Sequence, residues 1–218
     1  MGMDRLSLRI DLHVHTRFSR DSVSSLDDLN GRCRDLKLDG YAICDHDSIE
    51  GLGKVEPGGL VVIPGLEVSA KGAHILCLDP VDIVPSGLSM AETVERVHAQ
   101  GATAVLAHPY AIPRSFVRFS EVERSGFDAI EVANSAQIPF GFVAARNRGL
   151  AEKLGLPQTG GSDSHIPETF GRSYTVVEAD SREPDDVIDA IKKGRTRVVG
   201  ESIGFGERLL TIWRALGK

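Results

Sequence analysis

Short apolar runs alternate with helix-period segments for most of the chain, and nearly every run ends in a histidine or a carboxylate. The strand-like runs are 8–15, 41–44, 60–68, 74–78, 102–107, 128–132 and 156–160, with an eighth at 174–178. Helix signals fall between them. Ser25-x-x-Asp28 and Ser89-x-x-Glu92 read as helix starts, and 140–154 stops at Gly155 and Pro157. Residues 181–193 and 206–216 complete the set. Strands alternating with helices predict parallel pairing in one α/β domain of about seven strands, closed or nearly closed, with chemistry at the C-terminal strand ends. No linker or repeat divides the 218 residues, so the expected unit is a single domain over 1–218, with 180–218 as a C-terminal helical extension.

The histidines carry the chemical signal. His13 and His15, in Asp11-Leu12-His13-Val14-His15, lie two apart on a strand, so both imidazoles and Asp11 are expected on one face. Such a pair reads either as half of a metal site or as hydrogen-bonded histidines. The recurrence bears on that choice. Asp45-His46-Asp47 follows the second run, Glu67 ends the third, His74 starts the fourth, His108 follows the fifth, and Asp163-Ser164-His165 follows the seventh. Of the seven histidines only His98, inside an expected helix, stands apart. Parallel strands would bring the rest to one rim. Several carboxylates gathered in a desolvated cleft need neutralising, which divalent cations do. Imidazole with carboxylate suits zinc, manganese or iron.

Composition narrows the alternatives. A formal charge of −6 gives little encouragement to a nucleic-acid partner, although 192–218 is locally basic. Cys33, Cys44 and Cys77 are too few and too scattered for a disulfide framework or a CxxC zinc site. No apolar run reaches membrane-span length and no signal peptide is evident, so the expected compartment is the cytoplasm.

In order along the chain stand Asp11-Leu12-His13-Val14-His15-Thr16-x-x-Ser19-x-Asp21, Cys44-Asp45-His46-Asp47, Gly65-Leu66-Glu67-Val68, His74-Ile75-Leu76, Ala107-His108-Pro109 and Gly161-Ser162-Asp163-Ser164-His165. Together these resemble the polymerase and histidinol phosphatase (PHP) family of metal-dependent phosphoesterases. The resemblance implies a distorted seven-stranded β/α (TIM-like) barrel holding two to three divalent ions (Zn, Mn or Fe). Carried over by position, one ion takes His13, His15, Glu67 and Asp163; a second takes Glu67, His74 and His108; a third takes Asp21, His46 and His165. Glu67, Asp163 and His165 are the expected catalytic residues, with Asp45 and Glu131 behind the ligands and Arg114 as a phosphate contact.

The implied reaction is hydrolysis of phosphate monoesters of a small metabolite or nucleotide, with a metal-held hydroxide as nucleophile. The alternatives are an exonuclease acting on DNA or RNA ends, and a non-catalytic PHP interaction module. A serine nucleophile at Ser162 lacks the G-x-S-x-G elbow. The short stretch between His74 and His108 leaves no room for a large cap, so specificity is expected from short loops such as 110–118. Oligomeric state is not readable from the sequence.

Overall fold

The computed structural model describes residues 5–112 and 115–217. The mixed α/β class holds, but the strands number eleven and fall in two sheets. The elements run β1 (Leu6–Val14), α1 (Leu26–Asp35), β2 (Gly40–Ile43), β3 (Asp45–His46), β4 (Val61–Ile63), β5 (Gly65–Ala70), β6 (Ala73–Leu78), α2 (Met90–His98) and β7 (Thr103–Ala107). They continue α3 (Phe119–Ser125), β8 (Ala129–Asn134), α4 (Phe140–Leu154), β9 (Gln158–Gly161), a 3-10 turn (Pro167–Thr169), β10 (Ser173–Ala179), α5 (Pro184–Lys192), β11 (Thr196–Gly200) and α6 (Phe205–Leu216).

One sheet has the order β11-β10-β1-β2-β4 and the other β3-β5-β6-β7-β8-β9. They are joined where Val14, at the end of the central strand β1, bridges Ser164, just past the edge strand β9. Among the described residues the strands pair as two linked sheets, and pairing into one closed ring of seven is not seen. Pairing is parallel for β1–β2, β2–β4, β3–β5, β7–β8 and β8–β9, and antiparallel for β1–β10, β10–β11, β5–β6 and β6–β7.

Local chemistry explains most boundaries. The expected run 60–68 splits into β4 and β5 at Pro64, which has no N–H to give a ladder. Ser25 and Ser89 cap α1 and α2 through reciprocal bonds with Asp28 and Glu92. Gly155 ends α4 in the left-handed region at φ 66°. Apolar side chains alternate along β1, and Leu8, Ile10 and Leu12 pack with Val177 and with Val187, Ile188 and Ile191 of α5. Each such side chain, fully buried, contributes about 1.5–3 kcal/mol.

The segment 180–218 is not wholly helical, because β11 extends the first sheet beside β10. Its last helix has an unusual orientation. Glu207, Arg208, Thr211 and Arg214 face the body of the protein, while Phe205, Leu209, Ile212, Trp213 and Leu216 are exposed. Polar latches dock α6. Arg208 donates to the carbonyls of Ser135, Ala136 and Gln137, Arg214 pairs with Glu168, and Arg172 pairs with Glu207.

Candidate metal centre

Strand direction decides how the rim is assembled. His13 and His15 leave the C-terminal end of β1, His46 ends β3, His108 follows β7, and Asp163 and His165 follow β9. His74 stands at the start of its strand, yet it reaches the same rim, because β6 runs antiparallel and pairs His74 with Ala107 and with Ser69. Glu67, in β5, sits level with His46 of the parallel neighbour β3.

Glu67 is the hub. Its Oε1 lies 2.9 Å from His74 Nδ1 and 3.0 Å from His108 Nε2. Its Oε2 lies 3.1 Å from His46 Nδ1 and 3.4 Å from Nε2 of both His13 and His15. Asp163 Oδ1 is 3.1 Å from His15 Nε2 and 3.6 Å from His13 Nε2. On the outer side, Asp21 Oδ2 lies 3.3 Å from His165 Nε2 and 3.6 Å from His46 Nε2. The structure thus brings together His13, His15, Asp21, His46, Glu67, His74, His108, Asp163 and His165.

Their grouping differs in detail from the expected one. Donor atoms within 4.8 Å of one another form four sets: His15, Asp21, His46 and His165; His13, His15 and Glu67; His13, His108 and Glu131; and His46, Glu67 and His74. His15 and His46 therefore each border two sets, and Glu131 joins one.

The donor set fits divalent cations. The Nε2 atoms of His13 and His15 face each other at 3.1 Å, although two unprotonated imidazole nitrogens cannot bond each other. Two donors each about 2.1 Å from one ion, at tetrahedral or octahedral angles, stand about 3.0–3.4 Å apart. His15 Nδ1, His46 Nδ1 and Glu67 Oε2 are buried without a hydrogen-bond partner. Such atoms are costly unless something else engages them.

Surrounding groups fix the orientation of the ligands. His13 Nδ1 donates to Glu131 at 3.0 Å, which leaves Nε2 turned inward. Glu131 also accepts from the His108 backbone N–H and from Asn134. His165 Nδ1 donates to the carbonyl of Asp163 and presents Nε2 to Asp21. Asp45 accepts from the N–H and hydroxyl of Thr16, at 2.6 and 2.7 Å, holding the loop that carries Asp21.

Asp11 does not share the imidazoles' task. Its carboxylate accepts from the backbone N–H groups of Ser162, Gly171 and His13, tying β1 to the β9–β10 connection. Gly161 is required beside it, because a Cβ there would lie 2.6 Å from the backbone N of His13.

Charge balance shows in the titration. Burial opposes ionisation of Glu67, but His13 and hydrogen bonds from His108, His13 and His74 hold it well below the ordinary carboxylate range. Burial also opposes protonation of His13, yet Glu131, Asp163 and Glu67 raise it well above its usual value. His15 goes the other way, lowered to about 3 by burial and then by the charge of His165.

Other sequence candidates lie elsewhere. Arg114 is outside the described residues. His98 pairs with Asp128 away from the cluster. The described loop 110–112 does reach the site, through Ala111 and Ile112. Sequence reasoning missed Arg208, which with Ile138 and Asp163 lines both cavities beside the ligands. The amphipathic period of α6 would have turned Arg208 outward, so no local signal pointed to it.

The comparisons decide the family. A PHP domain model matches residues 11–110, and a PHP-associated model matches 145–196, so together they span most of the chain. The chain belongs to the PHP family. An uncharacterised protein of Methanocaldococcus jannaschii, MJ0417, is 29% identical over 189 residues, covering 83% of this chain and 75% of that protein. PsfC of Pseudomonas syringae shares the fold at TM-score 0.75 and 19% identity, with 97% of this chain and 98% of that chain covered. A two-domain protein of Bacteroides vulgatus containing a predicted PHP-like metal-dependent phosphoesterase gives TM-score 0.71 at 18% identity, covering 97% and 71%. The lesion-specific endonuclease PfuEndoQ of Pyrococcus furiosus gives 0.67 at 20% identity, covering 88% of this chain and 58% of its own.

Proposed function

We propose that this PHP protein is a metal-dependent phosphomonoesterase for small substrates. The observation that carries the reading is Glu67, a buried carboxylate whose Oε1 faces His74 and His108 while its Oε2 faces His13, His15 and His46. Bound divalent cations would supply Lewis-acid charge and lower the pKa of water. Glu67 would be shared by two ions, with His13, His15 and Asp163 on one side and His74 and His108 on the other. Asp21, His46 and His165 would hold a third ion beside the pair. His165 keeps Nε2 turned toward Asp21, where that ion would lie, because the carbonyl of Asp163 holds its other nitrogen. Glu131 and Asp45 hold ligand and loop without meeting substrate. A serine nucleophile is not supported, since Ser162 Oγ has no hydrogen-bond partner to activate it.

The rival reading is an exonuclease. A basic cavity, with Arg148, Lys192, Lys193 and Arg197, opens at Gln158, where β9 begins. The ligands Asp163 and His165 follow the other end of β9, so these cations do not lead a strand to the site. The test is phosphate release from a panel of phosphomonoesters by manganese- or zinc-loaded protein. We expect turnover that chelator abolishes. Mononucleotides released from oligonucleotides, with no phosphate from monoesters, would establish the nuclease in its place.

A further inference from the structure

A cavity of about 320 Å³ opens directly beside Asp21, Asp163 and His165. That is the lower end of the range for small-ligand pockets and suits a single ring. Its apolar lining is Ile138, Ile203 and Ile212, contributed by the β8–α4 connection, the approach to α6, and α6 itself. Ile138 and Ile212 are more than half exposed, so apolar surface faces the opening. The wall's hydroxyls are already used. Thr169 Oγ1 lies 3.1 Å from both Ser164 Oγ and the Ile166 carbonyl, so its one proton is engaged there, and Thr211 Oγ1 donates to the carbonyl of Glu207. Arg208, the one arginine or lysine lining the cavity among the described residues, spends its guanidinium on the carbonyls of Ser135, Ala136 and Gln137 and on Ser202. A polyol or a second phosphate would find few partners there. An apolar group would find methyl groups on the side away from the metal ligands.

We propose that this cavity holds the organic half of the substrate, and that the site selects phosphomonoesters of aromatic or branched aliphatic alcohols. The inference rests on the phosphomonoesterase reading, because the ester must place its phosphate at Asp21, Asp163 and His165 for its alcohol part to meet the isoleucines. A tenfold preference corresponds to about 1.4 kcal/mol, which burial of about 55 Å² of apolar surface supplies at 25 cal/mol per Å².

The experiment is calorimetric binding of benzylphosphonate and methylphosphonate, neither hydrolysable, to the manganese-loaded full chain. We expect benzylphosphonate to bind about tenfold tighter or better. Ile212→Asn, on the exposed side of a helix, should bring the ratio below about threefold. Val81→Ser, which removes a still more exposed apolar side chain outside the cavity, should leave the ratio in place. Equal dissociation constants, no binding of either compound, or a preference untouched by Ile212→Asn would overturn the assignment. Parallel assays separate the two claims. A benzyl preference with no phosphate released from any monoester sinks the phosphatase reading alone, whereas phosphate release without the preference sinks the cavity assignment alone.

Discussion

Glu67 is the residue through which the sets communicate. Glu67→Ala should remove the shared donor and lower metal content at two positions together, read by elemental analysis of protein reconstituted with excess manganese. Loss of one equivalent alone would mean that Glu67 serves a single ion. Asp11 acts at the same scale but differently. It is fully buried, and three backbone N–H groups depend on it. Asp11→Ala should therefore cost about 3 kcal/mol or more in denaturant unfolding, since each orphaned buried donor costs about 1–3 kcal/mol. The cysteines are inert by burial. Burial pushes Cys33 and Cys77 up to about 12 and raises Cys44 as well. A raised pKa keeps each a neutral thiol at pH 8, so a thiol reagent should react with none of them until the protein unfolds. Fast modification of even one in the native state would contradict this.

At the scale of elements, the antiparallel β6 explains the placement of His74, and close contact of β9 with β1 explains Gly161. Gly161→Ala would press its methyl group into His13. The expected result is displacement of β1, lower thermal stability and weaker metal binding together, whereas unchanged metal affinity would show that the contact relaxes harmlessly. α6 depends on its polar latches. Arg208→Met removes the donors to three carbonyls and should raise amide exchange and proteolysis within α6, while β1 and β7 keep their protection. The sequence pattern misled here for a definite reason. Periodicity reports which face of a helix is apolar, and that face ordinarily packs inward. In α6 it is exposed, and charged groups dock the helix instead.

For the whole molecule, the metal-free centre is a balanced set of carboxylates and partly protonated imidazoles. His13, His74 and His165 are raised above the ordinary imidazole value: burial opposes this, but Glu131, Glu67 and Asp21 respectively lead the groups that outweigh it. Cations bind only deprotonated nitrogen, so loading at pH 7 must expel protons. The sign follows: metal affinity should fall as pH drops, and calorimetry in buffers of different ionisation enthalpy should show net proton release. Saturating manganese should also raise the melting temperature, because a ligand at a hundred times its dissociation constant stabilises by about 2.7 kcal/mol. No change in melting temperature would count against a centre that binds tightly in the folded state. What the sequence determined by itself was the alternation of strands and helices, the caps of α1 and α2, and which histidines and carboxylates gather at the candidate centre, all of which depend on residues near in sequence or on recurrent motifs. The tertiary structure alone decided the two-sheet arrangement, the sharing of His15 and His46 between sets, the work of Asp11, and the wall that α6 builds beside the metal ligands. Those features arise from contacts between residues far apart in the chain, such as Asp11 with Ser162, 151 positions away, and Arg208 of the last helix with Ala136, 72 positions away, and no local periodicity encodes which distant backbone a side chain will meet.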